Sequence, residues 1–224
     1  IRFRDLIDQT YYFPTEEFTL DNSNLLFHGV PLMDLVEKYG SPLKFTYLPK
    51  ISQNIGLAKK WFDTAMQKHG YAGKYYYCYC TKSSHFRHVM QEALKNDIHI
   101  ETSSAFDIDI VENLKKEGWV KDDTYVICNG FKREAYVDNV ARLINNGQVN
   151  CIPILDNYEE LSLLSEKIET PFKVGIRIAS EEEPKFEFYT SRLGIGYKDM
   201  VPFYESKVRD QPGVALKMFH FFIN

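Results

Sequence analysis

An α/β fold built on parallel strands is the class this 224-residue sequence predicts. Three observations carry it. From about Gly40 onward, apolar runs of strand length alternate with runs of helical spacing. The connections between them are short. Nearly every apolar run ends on a polar or charged residue. Parallel strands joined by right-handed helical crossovers are the natural outcome of that alternation.

The first 40 residues have a different pattern from the rest of the chain. EFTLDNSNLLFHGV reads as two short strands around a turn at Asp21 to Asn24. A short helix comes next over Pro31 to Tyr39, with proline in its first turn and Gly40 at its end. These residues form an N-terminal segment, 1–40, belonging to a different layer from 41–224. The regular part begins with strand-like Leu43 to Leu48 and a helix from Pro49 to Lys68, whose Ile51, Ile55, Ala58, Trp61, Phe62, Ala65 and Met66 recur on one face. Strand Tyr75–Thr81 precedes helix Phe86–Lys95. Strand Ile98–Glu101 precedes a helix capped by Ser103 or Ser104, with Asp107 in its first turn. Strand Tyr125–Cys128 leads to helix Arg133–Ile144, and strand Val149–Leu155 to helix Tyr158–Ile168. Strand Phe172–Ile178 is followed by a longer connection, Ala179–Gly196, then a helix near Met200–Val208 and a last strand, Ala215–Ile223. An open doubly wound sheet and an interrupted (β/α)8 barrel both fit this count.

Composition excludes several functions. A net charge of -4 gives no electrostatic footprint for nucleic acid or for an anionic membrane. The longest apolar runs, CIPIL and MFHFFI, fall far short of the roughly 20 residues that span a bilayer. The N-terminal IRFRDLIDQTYYF has acids and aromatics where a secretory signal needs an uninterrupted apolar segment, so a cytoplasmic location is expected. Cys78, Cys80, Cys128 and Cys151 sit inside strand-like runs without zinc spacing and read as reduced structural thiols. His85 and His88 lack a third ligand and read as a helix surface; the acidic run Glu181 to Glu183 reads as a solvated face. No GxGxxG or P-loop follows the first strand.

The stretch that organises the chain is YYYCYCTKSS, Tyr75 to Ser84, which ends a strand on Lys82. A lysine there either snorkels to water or is held for chemistry. Chemistry in a barrel gathers at the carboxyl ends of the strands. Lys82, Glu101, Asn129, Asp156 and Arg177 all stand at such ends and would point into one mouth.

In order, GSPLKFTYL, YYYCYCTKSS, IHIETSSAFDI, VICNGFK, GIRIASEEE with SRLGIG, and MFHFFIN resemble the alanine racemase-like, fold type III pyridoxal-phosphate enzymes. The likeness is greatest to their ornithine, diaminopimelate and arginine decarboxylase group, and covers roughly residues 40–224. It implies a (β/α)8 TIM-type barrel, here incomplete at about six strands, with residues 1–40 contributing to an accompanying β domain. It also implies pyridoxal 5′-phosphate as cofactor. CYCTK matches the family pattern whose lysine attaches the cofactor's aldehyde, which makes Lys82 the catalytic residue. Glu101 in ETSSAFD matches the carboxylate ending the next strand, and Asp107 the acid in the following helix. Arg177 matches the arginine expected near the cofactor's phenolic oxygen, and Ser191 to Gly194 match a Ser-Arg-Phe-Gly loop. The family's His-Phe-His strand supplies a ring-stacking histidine; one register puts Phe222 there, and a slip of two restores His220.

The family's phosphate loop, pyridine-nitrogen partner and C-terminal β domain have no counterpart here, so the piece alone is expected to be inactive. The implied reaction is decarboxylation of a basic amino acid, with arginine to agmatine in polyamine biosynthesis favoured, and a homodimer the implied assembly. Diaminopimelate, ornithine or carboxynorspermidine decarboxylation remain alternatives, as does a non-catalytic pyridoxal-phosphate carrier or regulatory homologue.

Overall fold

The computed structural model describes residues 17–179 and 193–222. The chain divides into two compact units, residues 1–47 and 48–224. In the first, strands β1 (Phe18–Asp21), β2 (Asn24–Phe27) and β3 (Val30–Pro31) form an antiparallel sheet, followed by helix α1 (Leu32–Tyr39). Asn22 and Ser23 both carry positive φ, 45° and 70°. That is the two-residue hairpin turn whose twist matches the strands, and it fixes the Asp21↔Asn24 register. Phe27 packs against Phe18 and Phe45, each 4.9 Å between ring centroids. Leu43 to Leu48, expected as a strand, makes no sheet pairing. Its aromatic residues pack against β2 and the residue after it instead: Tyr47 lies edge-on to Phe27 at 5.5 Å and stacks on His28 at 3.9 Å.

The second unit opens with helix α2 (Pro49–Lys68), with the proline in its first turn as the sequence predicts. It continues with strands β4 (Cys78–Cys80), β5 (His99–Thr102), β6 (Val126–Cys128), β7 (Cys151–Leu155), β8 (Phe172–Arg177) and β9 (Val214–His220). Between them run helices α3 (Arg87–Leu94), α4 (Ala105–Lys116), α5 (Glu134–Asn145) and α6 (Glu160–Lys167). A short α7 (Met200–Phe203) passes into a π-helical turn at Tyr204–Val208, where a single regular helix was expected. The strand before Lys82 is shorter than the Tyr75–Thr81 expected, because only three of its residues find a partner in β5.

The sheet order settles which of the two architectures the alternation produces. All six strands are parallel and lie in sequence order, β4-β5-β6-β7-β8-β9. A doubly wound sheet reverses direction about its first strand; a barrel wall advances one strand at a time. This sheet is therefore part of a barrel wall.

Alternate side chains along each strand face opposite sides. Ile100, Val126, Cys128, Leu155, Val174 and Ile176 join the large buried cluster that includes residues of α3, α4, α5 and α6. The opposite set, Cys78, Tyr125, Ile127, Ile152, Ile154 and Met218, forms a smaller inner cluster. Most of these line a groove of about 400 Å³ together with Tyr76, Lys173 and Lys217. Cys128 and Cys151 are buried and Cys78 and Cys80 half-buried, all four as free thiols. Among the described residues no helix is long and apolar enough to cross a membrane, and no cluster of metal-ligating side chains forms.

Two glycines separate strain from mere flexibility. Gly194 has φ +97°, and an added Cβ would meet the Ala179 nitrogen at 2.9 Å and the Arg177 carbonyl at 3.0 Å, both rigid backbone. Gly56 lies within α2, and its Cβ would meet nothing within 4 Å. Gly194→Ala is expected to destabilise the unit by at least about 1 kcal/mol, whereas Gly56→Ala is expected to stabilise it by roughly 0.5–1 kcal/mol. Urea denaturation of the two variants beside the unsubstituted protein checks both signs.

Candidate active site

The inward face supplies the site. Lys82 stands two residues beyond Cys80, Asn129 two beyond Ile127, Asp156 two beyond Ile154, Arg177 two beyond Gly175, and His220 two beyond Met218. The two-residue period thus continues the inner apolar layer into a polar one at the carboxyl ends of the strands. Glu101, opposite Cys80 and Ile127 in the ladder, belongs to the same layer.

The loop presenting Lys82 is pinned from both sides. The Thr81 amide donates to the Glu101 carbonyl at 2.9 Å, and its hydroxyl donates to Asp107 Oδ2 at 2.9 Å. The Tyr79 hydroxyl reaches the Ser84 carbonyl at 3.0 Å. Asp107 also accepts the Ser103 amide at 2.8 Å, while its own amide donates to Ser104 Oγ, the cap of α4. Asp107 is therefore a buried tie beneath the loop rather than a wall of the mouth. Lys82 itself is exposed. The Phe222 ring lies 5.7 Å from its Nζ.

Phe222 faces a second cation: the Arg177 guanidinium carbon lies 4.6 Å from the ring centroid. Such contacts contribute about 0.5–2 kcal/mol each, more when desolvated. Arg177 is 9% exposed and pairs through Nη1 with Asp156 Oδ1 at 3.4 Å. The structure thus gathers Lys82 and Arg177 around the Phe222 ring. His220 stands edge-on to that ring, 5.3 Å away at 84°. Its Nε2 is 4.0 Å from Glu101 Oε1, too far for a hydrogen bond. Burial pushes the imidazole pKa down; Glu101 opposes that push and Arg177 reinforces it. Glu101 Oε1 accepts from Asn129 Nδ2 at 3.0 Å and from the Cys80 thiol at 4.0 Å.

Leu193 and Gly194, the described end of the Ser191–Gly194 motif, lie against the ends of β7 and β8. The Gly194 amide donates to the Asp156 carbonyl at 2.9 Å, and the Ile195 amide to the Arg177 carbonyl at 2.7 Å. Ser191 and the acidic run Glu181 to Glu183 lie outside the described residues.

Sequence reasoning missed one pair. Lys132 and Glu160 are 2% and 1% exposed and bonded to each other at 3.3 Å. Burial raises the Glu160 pKa, and Lys132 together with the amides of Asp156 and Lys132 holds it back. Lysine and glutamate are almost never fully buried, so a loop lysine and a helix-start glutamate read as surface. The signal was present in NGFK and in the four-residue spacing from Asp156 to Glu160.

Buried atoms without protein partners collect in this layer: Asn129 Oδ1, Asp156 Oδ2 and His220 Nδ1. A buried polar atom without a partner is costly unless a ligand or water completes it. An exposed amine, an aromatic face and a guanidinium, with orphaned acceptors beside them, fit the aldehyde and ring portion of pyridoxal phosphate. No phosphate cradle is evident among the described residues.

No family model matches the chain. The biosynthetic arginine decarboxylase of Prochlorococcus marinus (strain MIT 9303) is 23% identical over 208 residues, which is 86% of this chain and 32% of that protein. That of Bacteroides thetaiotaomicron is 24% identical over 215 residues, 87% of this chain and 33% of that protein. The chain therefore spans about a third of the length of these curated relatives. Among solved structures, diaminopimelate decarboxylase from M. jannaschii in complex with L-lysine superposes with a TM-score of 0.77 at 16% identity, over 93% of this chain and 48% of that one. The biosynthetic arginine decarboxylase of Campylobacter jejuni gives 0.65 at 17% identity, over 93% and 36%. In sequence the chain is similar to these arginine decarboxylases, and in fold it is similar to the alanine racemase-like, fold type III barrel decarboxylases.

Proposed function

We propose that the chain carries part of the cofactor-binding barrel of a pyridoxal-phosphate-dependent decarboxylase acting on a basic amino acid, arginine before its alternatives. The observation that carries this reading is the placing of the Lys82 amine and the Arg177 guanidinium around the Phe222 ring, at the carboxyl end of a parallel barrel wall. The arginine preference rests on the names of the sequence relatives.

Pyridoxal phosphate, when bound, supplies an electron sink for the electrons left by departing CO2. The chain's own residues attach and orient it. Lys82 offers its Nζ as the attachment point, and its exposure leaves that nitrogen accessible to an incoming amine. Phe222 offers a flat apolar face in place of the family's histidine; it covers a ring without hydrogen bonding to it. Arg177, held by Asp156, presents a fixed positive charge to an anionic oxygen. Glu101, held by Asn129, stands at the strand beside the lysine loop, in position to orient an amine or to hold its proton. His220 has a depressed pKa, so it is a neutral neighbour of Glu101 near pH 7 and adds no competing positive charge.

Borohydride treatment of the intact protein with pyridoxal phosphate is expected to bleach a visible absorption band and to leave a pyridoxyl group on Lys82, read by peptide mass spectrometry. Lys82→Ala should abolish the band; labelling of another lysine would overturn the assignment. Loss of a hydrogen bond to a charged group costs about 1.5–3 kcal/mol, so Arg177→Met is expected to weaken cofactor binding by roughly 10- to 100-fold. Carbon dioxide release across arginine, ornithine, lysine, diaminopimelate and carboxynorspermidine should be fastest with arginine.

A further inference from the structure

We propose that the buried Lys132–Glu160 ion pair is a positioning device for the mouth, holding Asp156 against Arg177 and Asn129 against Glu101. The pair does not touch the Phe222 face itself. Its bonds run instead to the two loops from which the mouth residues project. Lys132 Nζ donates to the Gly130 carbonyl at 2.9 Å and to the Ile154 carbonyl. Glu160 Oε2 accepts the Asp156 amide at 2.9 Å, and Oε1 accepts the Lys132 amide at 2.8 Å and Asn157 Nδ2 at 3.2 Å.

Gly130 follows Asn129 directly, Ile154 is the last inward position of β7, and Asp156 is the next inward position just beyond it. Cross-linking those backbones fixes the height and direction of both side chains. From there the chain of contact continues outward, Asp156 to Arg177 at 3.4 Å and Asn129 to Glu101 at 3.0 Å. Tyr136 braces the same point, donating its hydroxyl to the Asn129 carbonyl at 3.0 Å. Lys132 lies 5.7 Å from the Tyr136 ring.

Stability alone is a poor reason for such a pair. Desolvating two charges offsets most of their attraction, and apolar replacements are often as stable. What an apolar pair lacks is a set of directed acceptors and donors for loop amides and carbonyls. Two charges that complete four backbone groups on two loops specify geometry rather than add bulk stability. The two orphaned oxygens in the layer, Asn129 Oδ1 and Asp156 Oδ2, belong to the two side chains this latch places.

The role assigned to the mouth rests on the function proposed above, so the test uses one readout that needs no cofactor and one that does. Glu160→Gln keeps one acceptor oxygen and replaces the other with a donor, leaving either the Asp156 or the Lys132 amide without its partner. In the intact protein, hydrogen exchange at whichever of these amides loses its partner is expected to rise about tenfold or more, with amides of α3 unchanged. The dissociation constant for pyridoxal phosphate should rise about tenfold. With Asp156→Asn already present, adding Glu160→Gln should raise that constant by clearly less than it does in the unsubstituted protein, because the part of its effect that runs through the Asp156–Arg177 contact is already lost and only the Asn129–Glu101 part remains. Should Glu160→Gln fail to fold, the Lys132→Met/Glu160→Gln pair, which leaves no unpaired charge, is read in the same way. Fully multiplicative effects, or a lowered melting midpoint with an unchanged dissociation constant, would overturn the positioning role. If the unsubstituted protein takes up no pyridoxal phosphate, it is the functional reading that fails. The latch is then decided by exchange, and unchanged exchange at both amides overturns it.

Discussion

The two-residue alternation of side chains in six parallel strands is the constraint on which everything else depends. It sends one set of residues to the helices and the other to the barrel interior. Because all strands run the same way, the last inward residue of each arrives at the same end. That is why a cation, two carboxylates, an amide, an imidazole and a guanidinium meet although they are spread in sequence from Lys82 to His220. Slipping one strand by a single residue would exchange its polar terminus for an apolar one. Arg177 and Ile176, adjacent in sequence, illustrate the difference: one joins the mouth and the other the helix-facing core.

Charge is handled in two tiers below and within the mouth. The lower tier, Lys132 with Glu160, is fully buried, mutually neutralised and bonded to loop backbone. The upper tier, Arg177 with Asp156 and Glu101 with Asn129, leaves hydrogen-bonding capacity unfilled. A satisfied network rigidifies its surroundings, whereas a partly satisfied one is poised for a ligand. A satisfied set bonded to the backbone that carries an unsatisfied one is what a preorganised site requires.

Much of this was legible in the sequence. Strand and helix alternation gave the second unit, and Ser104 with Asp107 gave the start of α4, because caps and periodicity are local properties. The choice between barrel and doubly wound sheet was not local; it depends on strand order, and only the resemblance supplied it beforehand. Leu43 to Leu48 misled because aromatic and β-branched content fits an extended segment equally well with or without a strand partner. Lys82 was found, and of the two settings the sequence offered for it the structure shows access to water: Tyr79 turns to the Ser84 carbonyl and the lysine stands exposed. Lys132 and Glu160 escaped because burial of a lysine depends on a partner 28 residues away. The sequence offered Phe222 and His220 as alternatives for the ring-stacking position; in the structure Phe222 faces Lys82 and Arg177 while His220 lies beside Glu101.

The most direct test of the account is a crystal structure of the intact protein reduced with borohydride in the presence of pyridoxal phosphate. The account predicts continuous density from Lys82 Nζ to a ring in contact with Phe222 and Arg177, with Asp156 still holding the guanidinium. Density on another lysine, or a ring bound away from the carboxyl ends of β4 and β8, would contradict it.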